Sequence, residues 1–398
     1  NGILSVIMTK KNRNKNKFTV IFFPYGTYMI NNPIACYDYD STLQRYQQVY
    51  ITLKGEGEGY STKSGNAGGT TIRSTFKDRP AVWWQIGKGG GMESISVTTP
   101  YTVPSMTGAQ FYNAPLAGYG DPTCRNSVYS PQCNIAIDAV GYTGVPADGG
   151  YPGSPDGIAA SFNYVAPGTS TTSGSTGLSF KDVKFMNATV NVAVSPNGST
   201  SNAECLTFED IRIGNSVVGF ASTQDQEKGN VIKNLIAWGE THTIFDNFTY
   251  SKQTPGNWFI EKINIAGRNN QMINWNTSGR FPTYINDIYA ESIGRIGMII
   301  GGMGVYISNG IVDFAQSSDM GGYSQNYHIQ GNGNAIFENM WLRMYGTFEP
   351  IIIEGIFSGP QFIDCKFETI PGFMPKSVNA GAQFVNCSTA TGGLGINT

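Results

Sequence analysis

An all-β solenoid, a parallel β-helix, is the fold this sequence predicts, and three observations predict it. The first is composition. Its 398 residues hold 50 Gly and 12% aromatics but only 14% charged side chains. Disordered chains are poor in aromatics and rich in charge, and long helical bundles need abundant Ala, Glu, Lys and Leu, so neither class fits. The second is a six-residue pattern, apolar–any–Asp/Asn–apolar–any–apolar, that recurs nine times. The third is its spacing of 22 to 30 residues, the period of a repeat architecture.

The opening third of the chain supplies short strands. Phe18–Phe23 is a strand run broken by Pro24 and Gly26; Val49–Leu53 leads into a glycine-rich turn at Gly55, Gly57 and Gly59; Ile95–Val97 is another strand. Gly55-Glu56-Gly57 lacks the lysine and following helix of a phosphate loop and reads as a turn. Residues 1–99 are therefore the opening coils. Residues 100–178 are rich in Gly, Ser, Thr, Pro and Asp and read as a loop-rich insertion, the kind of long loop that carries function or decorates a scaffold.

Residues 179–398 carry the regular rungs. The first copies are Phe180-Lys181-Asp182-Val183-Lys184-Phe185 and Phe208-Glu209-Asp210-Ile211-Arg212-Ile213. Further copies begin at Ile232, Ile260, Ile285, Ile307 (the loosest), Phe337, Phe362 and Phe384. Period-two alternation at the end of each copy marks a strand with one buried face. Asp or Asn stands where the chain turns into that strand, suiting its tolerance of left-handed backbone. Three short strands and three turns fill one such coil, and coils stack about 4.8 Å apart. Equivalent positions then become neighbours. Phe337, Phe362 and Phe384 should form an aromatic ladder, Cys365 and Cys387 should stack, and the third positions should form a polar ladder.

Charge and cysteine exclude several functions. Lys+Arg 26 against Asp+Glu 28 leaves a net charge of −2, without the basic field that nucleic-acid binding requires. The cluster Lys10, Lys11, Arg13, Lys15 and Lys17 reads as a solvated loop. No apolar run is long enough to span a membrane, so no membrane insertion is expected. Ile3–Met8 precedes the basic cluster, the reverse of a signal peptide, and residue 1 is not Met, so the chain reads as a fragment or processed product. Six cysteines with no C-x-x-C pair argue against a zinc site. Cys124 and Cys133 share one loop and could bridge, with free thiols the default. No compact carboxylate cluster suits calcium, and neither metal nor cofactor is expected.

The stretch Phe22-Phe23-Pro24-Tyr25-Gly26-Thr27-Tyr28-Met29-Ile30, with Leu53-Lys54-Gly55-Glu56-Gly57, resembles the opening coil of pectate-lyase-like β-helices, of the bacteriophage tailspike and polysaccharide depolymerase type. Together with the rungs, the resemblance covers most of the chain. It implies a right-handed parallel β-helix, assembled as a homotrimer with other virion tail proteins. The protein would sit on a virion tail or otherwise outside the cell and would bind, and often cleave, a bacterial surface polysaccharide. Two other readings stand beside it: a secreted bacterial polysaccharide lyase or hydrolase, and a non-enzymatic adhesin or tail component serving as a stiff spacer.

Glycoside hydrolysis needs two carboxylates across the scissile bond. The segment Trp238–Asp246 concentrates an aromatic, two acids and one of two histidines. The 28-residue offset between rungs sets Glu240 near Arg268 and Asp246 near Asn274. This surface is the expected glycan groove. Glu240, with Asp246 or Asp225, would serve as acid and base; Trp238 and Trp275 would stack on sugar, with His242, Arg268 and Arg295 as further contacts. A lyase would instead use His242 with Arg268, and hydrolysis is the favoured chemistry.

Overall fold

The structure is a computed structural model. It describes residues 18–36, 38–40, 45–58, 68–76, 81–84, 87–100, 160–162, 175–194, 203–222, 227–247, 257–277, 282–293, 297–302, 304–314, 329–331, 334–344, 350–355, 358–369, 374–379, 381–389 and 392–393. These residues form a right-handed parallel β-helix of one 28-stranded sheet wrapped into coils, with a separate antiparallel pair at Asp38–Asp40 and Arg45–Gln47. Among the described residues there is no helix, and so none long and apolar enough to cross a membrane.

Each coil has three walls. Ser179–Val194 runs through all three, bending at Asp182 and again at Asn187, and Thr207–Ser222 pairs with it in parallel from Ser179↔Thr207 to Val194↔Ser222. The first wall holds residues 179–181 and their partners 207–209, 231–233, 259–261 and 284–286. The second holds 183–186, 211–214, 235–238, 263–265, 288–290, 310–314, 340–344 and 366–369. The third follows the second bend, through 188–194, 216–222, 241–247 and 269–277.

The bends explain the recurring Asp or Asn. All nine third positions of the repeat have left-handed backbone, with φ from 51° to 59°. Such φ costs most L-residues about 1–2 kcal/mol, less for Asp and Asn, whose short side chains bond locally. The polar ladder is present: Asn234 donates to Asp210 at 2.6 Å, Asn339 to Asn309 at 2.7 Å and Asn386 to Asp364 at 2.5 Å. Lys262 is the one third position without an Asp or Asn, at φ 59°.

The aromatic and cysteine columns stack as expected. Phe337, Phe362 and Phe384 lie parallel, with centroids 4.7 and 5.5 Å apart. Phe180 and Phe208 repeat the arrangement at 5.0 Å in the early rungs. Burying such a ring is worth about 1.5–3 kcal/mol, and parallel pairs in contact add about 0.5–1.5 kcal/mol. Cys365 and Cys387 are both buried in the last rungs.

Two features differ from the sequence reading. A tenth copy precedes the nine: Met92-Glu93-Ser94-Ile95-Ser96-Val97 pairs in register with Phe180–Phe185, and Ser94 takes the left-handed bend at φ 52°. Within the segment read as an insertion, Ala160–Phe162 and Ser175–Thr176 pair with rungs on both sides, so the solenoid runs through it. Cys124 and Cys133, and the basic cluster of residues 10–17, lie outside the described residues.

Lys262 gives a test of the bend. Lys262→Asn should raise the unfolding free energy by about 1 kcal/mol, and Asp287→Lys should lower it by about as much. Urea unfolding of the two variants reads both; an unchanged midpoint for Lys262→Asn would remove the cost assigned to this residue.

Candidate functional site

The register places several of the expected site residues. Glu240 pairs with Arg268 and Asp246 with Asn274, as the 28-residue offset requires. Glu240 is half-buried just past the second bend, and its amide approaches Asn215 Oδ1 at 3.4 Å. The bend needs glycine: Gly239 has φ 79°, and a Cβ there would meet Asn215 Oδ1 at 2.3 Å. Trp238, just before it, stays on the outside of the second wall, half-buried, with Lys184 Nζ 5.1 Å from its ring centroid. Burial pushes the Lys184 ammonium below its ordinary range.

Two expected contacts are corrected. Trp275 is 3% exposed and belongs to the hydrophobic core, so it offers no face to a sugar. His242 is 2% exposed, and its Nδ1 lies 2.9 Å from Thr243 Oγ1. The third wall here is buried throughout residues 241–245 and 271–275, and that burial is the physical reason for both corrections. Thr243 in turn donates to Gln271 Oε1 on the next rung at 3.5 Å, so His242 lies among buried polar groups. Asp225 and Arg295 lie outside the described residues, as do the side chains of Asp246 and Arg268.

Charged and aromatic groups converge instead on the outside of the second wall. Asp313, Arg343 and Glu368 occupy one row on consecutive rungs. Glu291 lies on the preceding rung, just after Ala290, the register partner of Val312, where the register shifts before Ile293 meets Phe314. Every member immediately follows the sixth residue of its repeat, as does Trp238. The row alongside holds Tyr289, Ile311, Trp341 and Lys366.

The side chains interlock. Asp313 takes two bonds from the Arg343 guanidinium, through Nε and Nη2. Glu368 accepts from Trp341 Nε1 at 2.8 Å and pairs with Lys366 at 3.0 Å. Lys366 Nζ and Arg343 Cζ lie 4.3 and 4.9 Å from the Trp341 ring centroid, a cation–π arrangement. Tyr289 donates to Glu291 Oε1 at 2.6 Å. That bond, and then the Glu291 charge, push the Tyr289 phenol above its ordinary range. With rungs about 4.8 Å apart, the backbones of Asp313 and Glu368 lie about 9.5 Å apart.

A second aromatic column lies on the first wall, where Phe259, Tyr284 and Tyr306 are 42%, 40% and 38% exposed. Their rings stack at 5.4 and 5.2 Å with interplanar angles of 6° and 13°, so faces meet faces and edges point outward. Among the described residues no three His, Cys, Asp or Glu side chains converge on a metal position.

Fold and site together define a parallel β-helix with a file of carboxylates, cations and aromatics along one outer wall. No family model and no curated protein matches the sequence. Three solved structures are similar in shape. The DFA-IIIase of Arthrobacter chlorophenolicus A6 without its lid is 9% identical, over 93% of this chain and 82% of that one, at a TM-score of 0.47. The mannuronan C-5 epimerase AlgE6 A-module of Azotobacter vinelandii is 10% identical over 93% and 90%, at 0.37. The Family 28 exopolygalacturonase of Yersinia enterocolitica is 11% identical over 97% and 74%, at 0.33. None of them lends a residue role to this chain.

The Tyr289–Glu291 contact is open to direct measurement. In spectra of ring-labelled tyrosine, Tyr289 should ionise above the ordinary phenol range, and Glu291→Gln should bring it back down. A Tyr289 titration that ignores Glu291→Gln would break the contact.

Proposed function

We propose that this chain recognises and depolymerises a bacterial surface polysaccharide, capsule or O-antigen, along the outside of its second wall. One observation carries the reading: Asp313, Arg343 and Glu368 stand in a row on consecutive rungs, with Glu291 on the rung before and Tyr289 and Trp341 alongside. Retaining hydrolysis uses carboxyl groups about 5–5.5 Å apart and inverting hydrolysis about 6.5–9.5 Å. Backbones one or two rungs apart, about 4.8 or 9.5 Å, put carboxyl pairs on the scale of these ranges.

Roles follow from the partners. The Arg343 fork fixes the orientation of Asp313, the candidate base or nucleophile, through two bonds. Glu291, which accepts the Tyr289 hydroxyl, is the second carboxyl group of this scheme. Glu368, bonded to Trp341 and Lys366, is the third, two rungs from Asp313. Trp238 lies on the same wall four rungs before Trp341, about 19 Å along the axis, long enough for an oligosaccharide to span.

The same reading assigns the chain to the outside of the cell, as a trimeric tailspike-like receptor-binding protein on a virion tail. Trimeric presentation raises avidity through effective concentration. A mass in solution near three times 43.0 kDa is expected. A monomer that still degrades the glycan would transfer the reading to a secreted bacterial hydrolase.

Activity is tested on purified host capsule or O-antigen by release of reducing ends. Asp313→Asn and Glu291→Gln should each lower the rate by about 10²–10⁴-fold, the usual worth of one general acid or base. Glu240→Ala should leave it unchanged. The opposite pattern would return the site to the corner at Gly239. Unsaturated ends would make the chemistry elimination, and binding without release would make the protein an adhesin or spacer.

A further inference from the structure

The last two rungs hold a pair of cysteines that the glycan site does not use. Ile363↔Val385 and Lys366↔Ser388 are register partners on either side of them, so Cys365 and Cys387 stand directly above one another. Both are free thiols, 1% and 3% exposed. Their sulfurs point the same way: Cys365 Sγ lies 3.4 Å from Phe337 O, and Cys387 Sγ lies 3.3 Å from Phe362 O, each reaching the rung before its own. The two thiols shift each other's ionisation, Cys387 becoming the easier to deprotonate and Cys365 the harder.

We propose that Cys365 and Cys387 form a disulfide across neighbouring rungs when the folded protein meets an oxidising medium, stapling the final coil to the body of the solenoid. Rung spacing of about 4.8 Å lies inside the Cα window for disulfides, about 4.4–6.8 Å. In-register side chains also hold their Cβ atoms near about 4.8 Å, slightly beyond the usual 3.5–4.5 Å, so the two rungs must pinch by a few tenths of an ångström. Beside Cys387, Ser388–Thr389 pairs in parallel with Lys366–Phe367 and antiparallel with Gly392–Gly393. The neighbouring core is a stack of Phe rings, Phe362 on Phe384, which can slide without exposing a polar group.

The chemistry balances with a small-molecule disulfide as oxidant. The Cys387 thiolate attacks one sulfur of the oxidant, whose S–S bond breaks and releases one thiol. Cys365 then loses its proton and attacks the mixed disulfide at Cys387, forming the Cys365–Cys387 bond and releasing the second thiol. Two protein thiols are oxidised and one disulfide is reduced. Opening of the terminal rung gives the oxidant its access.

The test uses the folded full chain treated with glutathione disulfide, then digested with trypsin without reduction. Cleavage after Arg343, Lys366 and Lys376 separates residues 344–366 from 377–398. The expected product is these two peptides joined, two hydrogens lighter than their sum, absent from Cys387→Ser and retained in Cys205→Ser. The oxidised chain should also resist limited proteolysis at its C-terminal rungs longer than the reduced chain, a difference that Cys387→Ser abolishes. Peptides recovered as separate thiols or as separate glutathione adducts, or a link from either cysteine to another partner, would overturn the proposal.

Discussion

Parallel, in-register hydrogen bonding between successive rungs is the constraint on which the rest of this structure depends. Once Ser179–Val194 pairs residue for residue with Thr207–Ser222, every side chain inherits a neighbour at the same place in the next coil. A favourable contact can then be repeated along the axis. Phe rings stack on Phe rings, Asn amides bond to Asp carboxylates, and thiol sits on thiol. The stability of such a solenoid sums over neighbouring interfaces, so no single contact has to be large.

The same constraint governs where chemistry can stand. Inward positions are committed to the core, and the bends are committed to left-handed backbone. Outward positions on the walls are the ones free to carry function, and their register turns separation along the chain into distance. Asp313 and Glu368 are 55 residues apart in sequence, yet two rungs apart in space. The first wall spends its outward column on Phe259, Tyr284 and Tyr306, whose rings cover one another. The second wall carries the carboxylates, and its ion pairs are partly desolvated, with Asp313 and Arg343 side chains 21% and 17% exposed.

Much of this was legible in the chain before any coordinates. Asp182, Asp210, Asn234, Asp287, Asn309, Asn339, Asp364 and Asn386 announced the bends because few other residues tolerate positive φ. Phe337, Phe362 and Phe384 announced their own stack, and the offset of 28 placed Glu240 opposite Arg268. The copy at Met92 was hidden because Ser94 takes the bend without being Asp or Asn. Glu291 and the row of Asp313, Arg343 and Glu368 were hidden only by stopping at the sixth position. The seventh position, read down the repeats, contains Trp238 and all four of these residues.

What the sequence by itself determined is the rung: its length, its left-handed corner and the residues that recur along the axis. These are local or strictly periodic properties, and backbone sterics and period-two alternation express them directly. Tertiary structure alone decided which residues past the second corner face water. Asn187, Asn215, Gly239 and Gly267 insert a further left-handed turn there, which resets the alternation that pattern reading relies on. His242 and Trp275 therefore lie buried, although their spacing suited a groove. Burial depends on every wall packed around a side chain, and no period in the sequence encodes it.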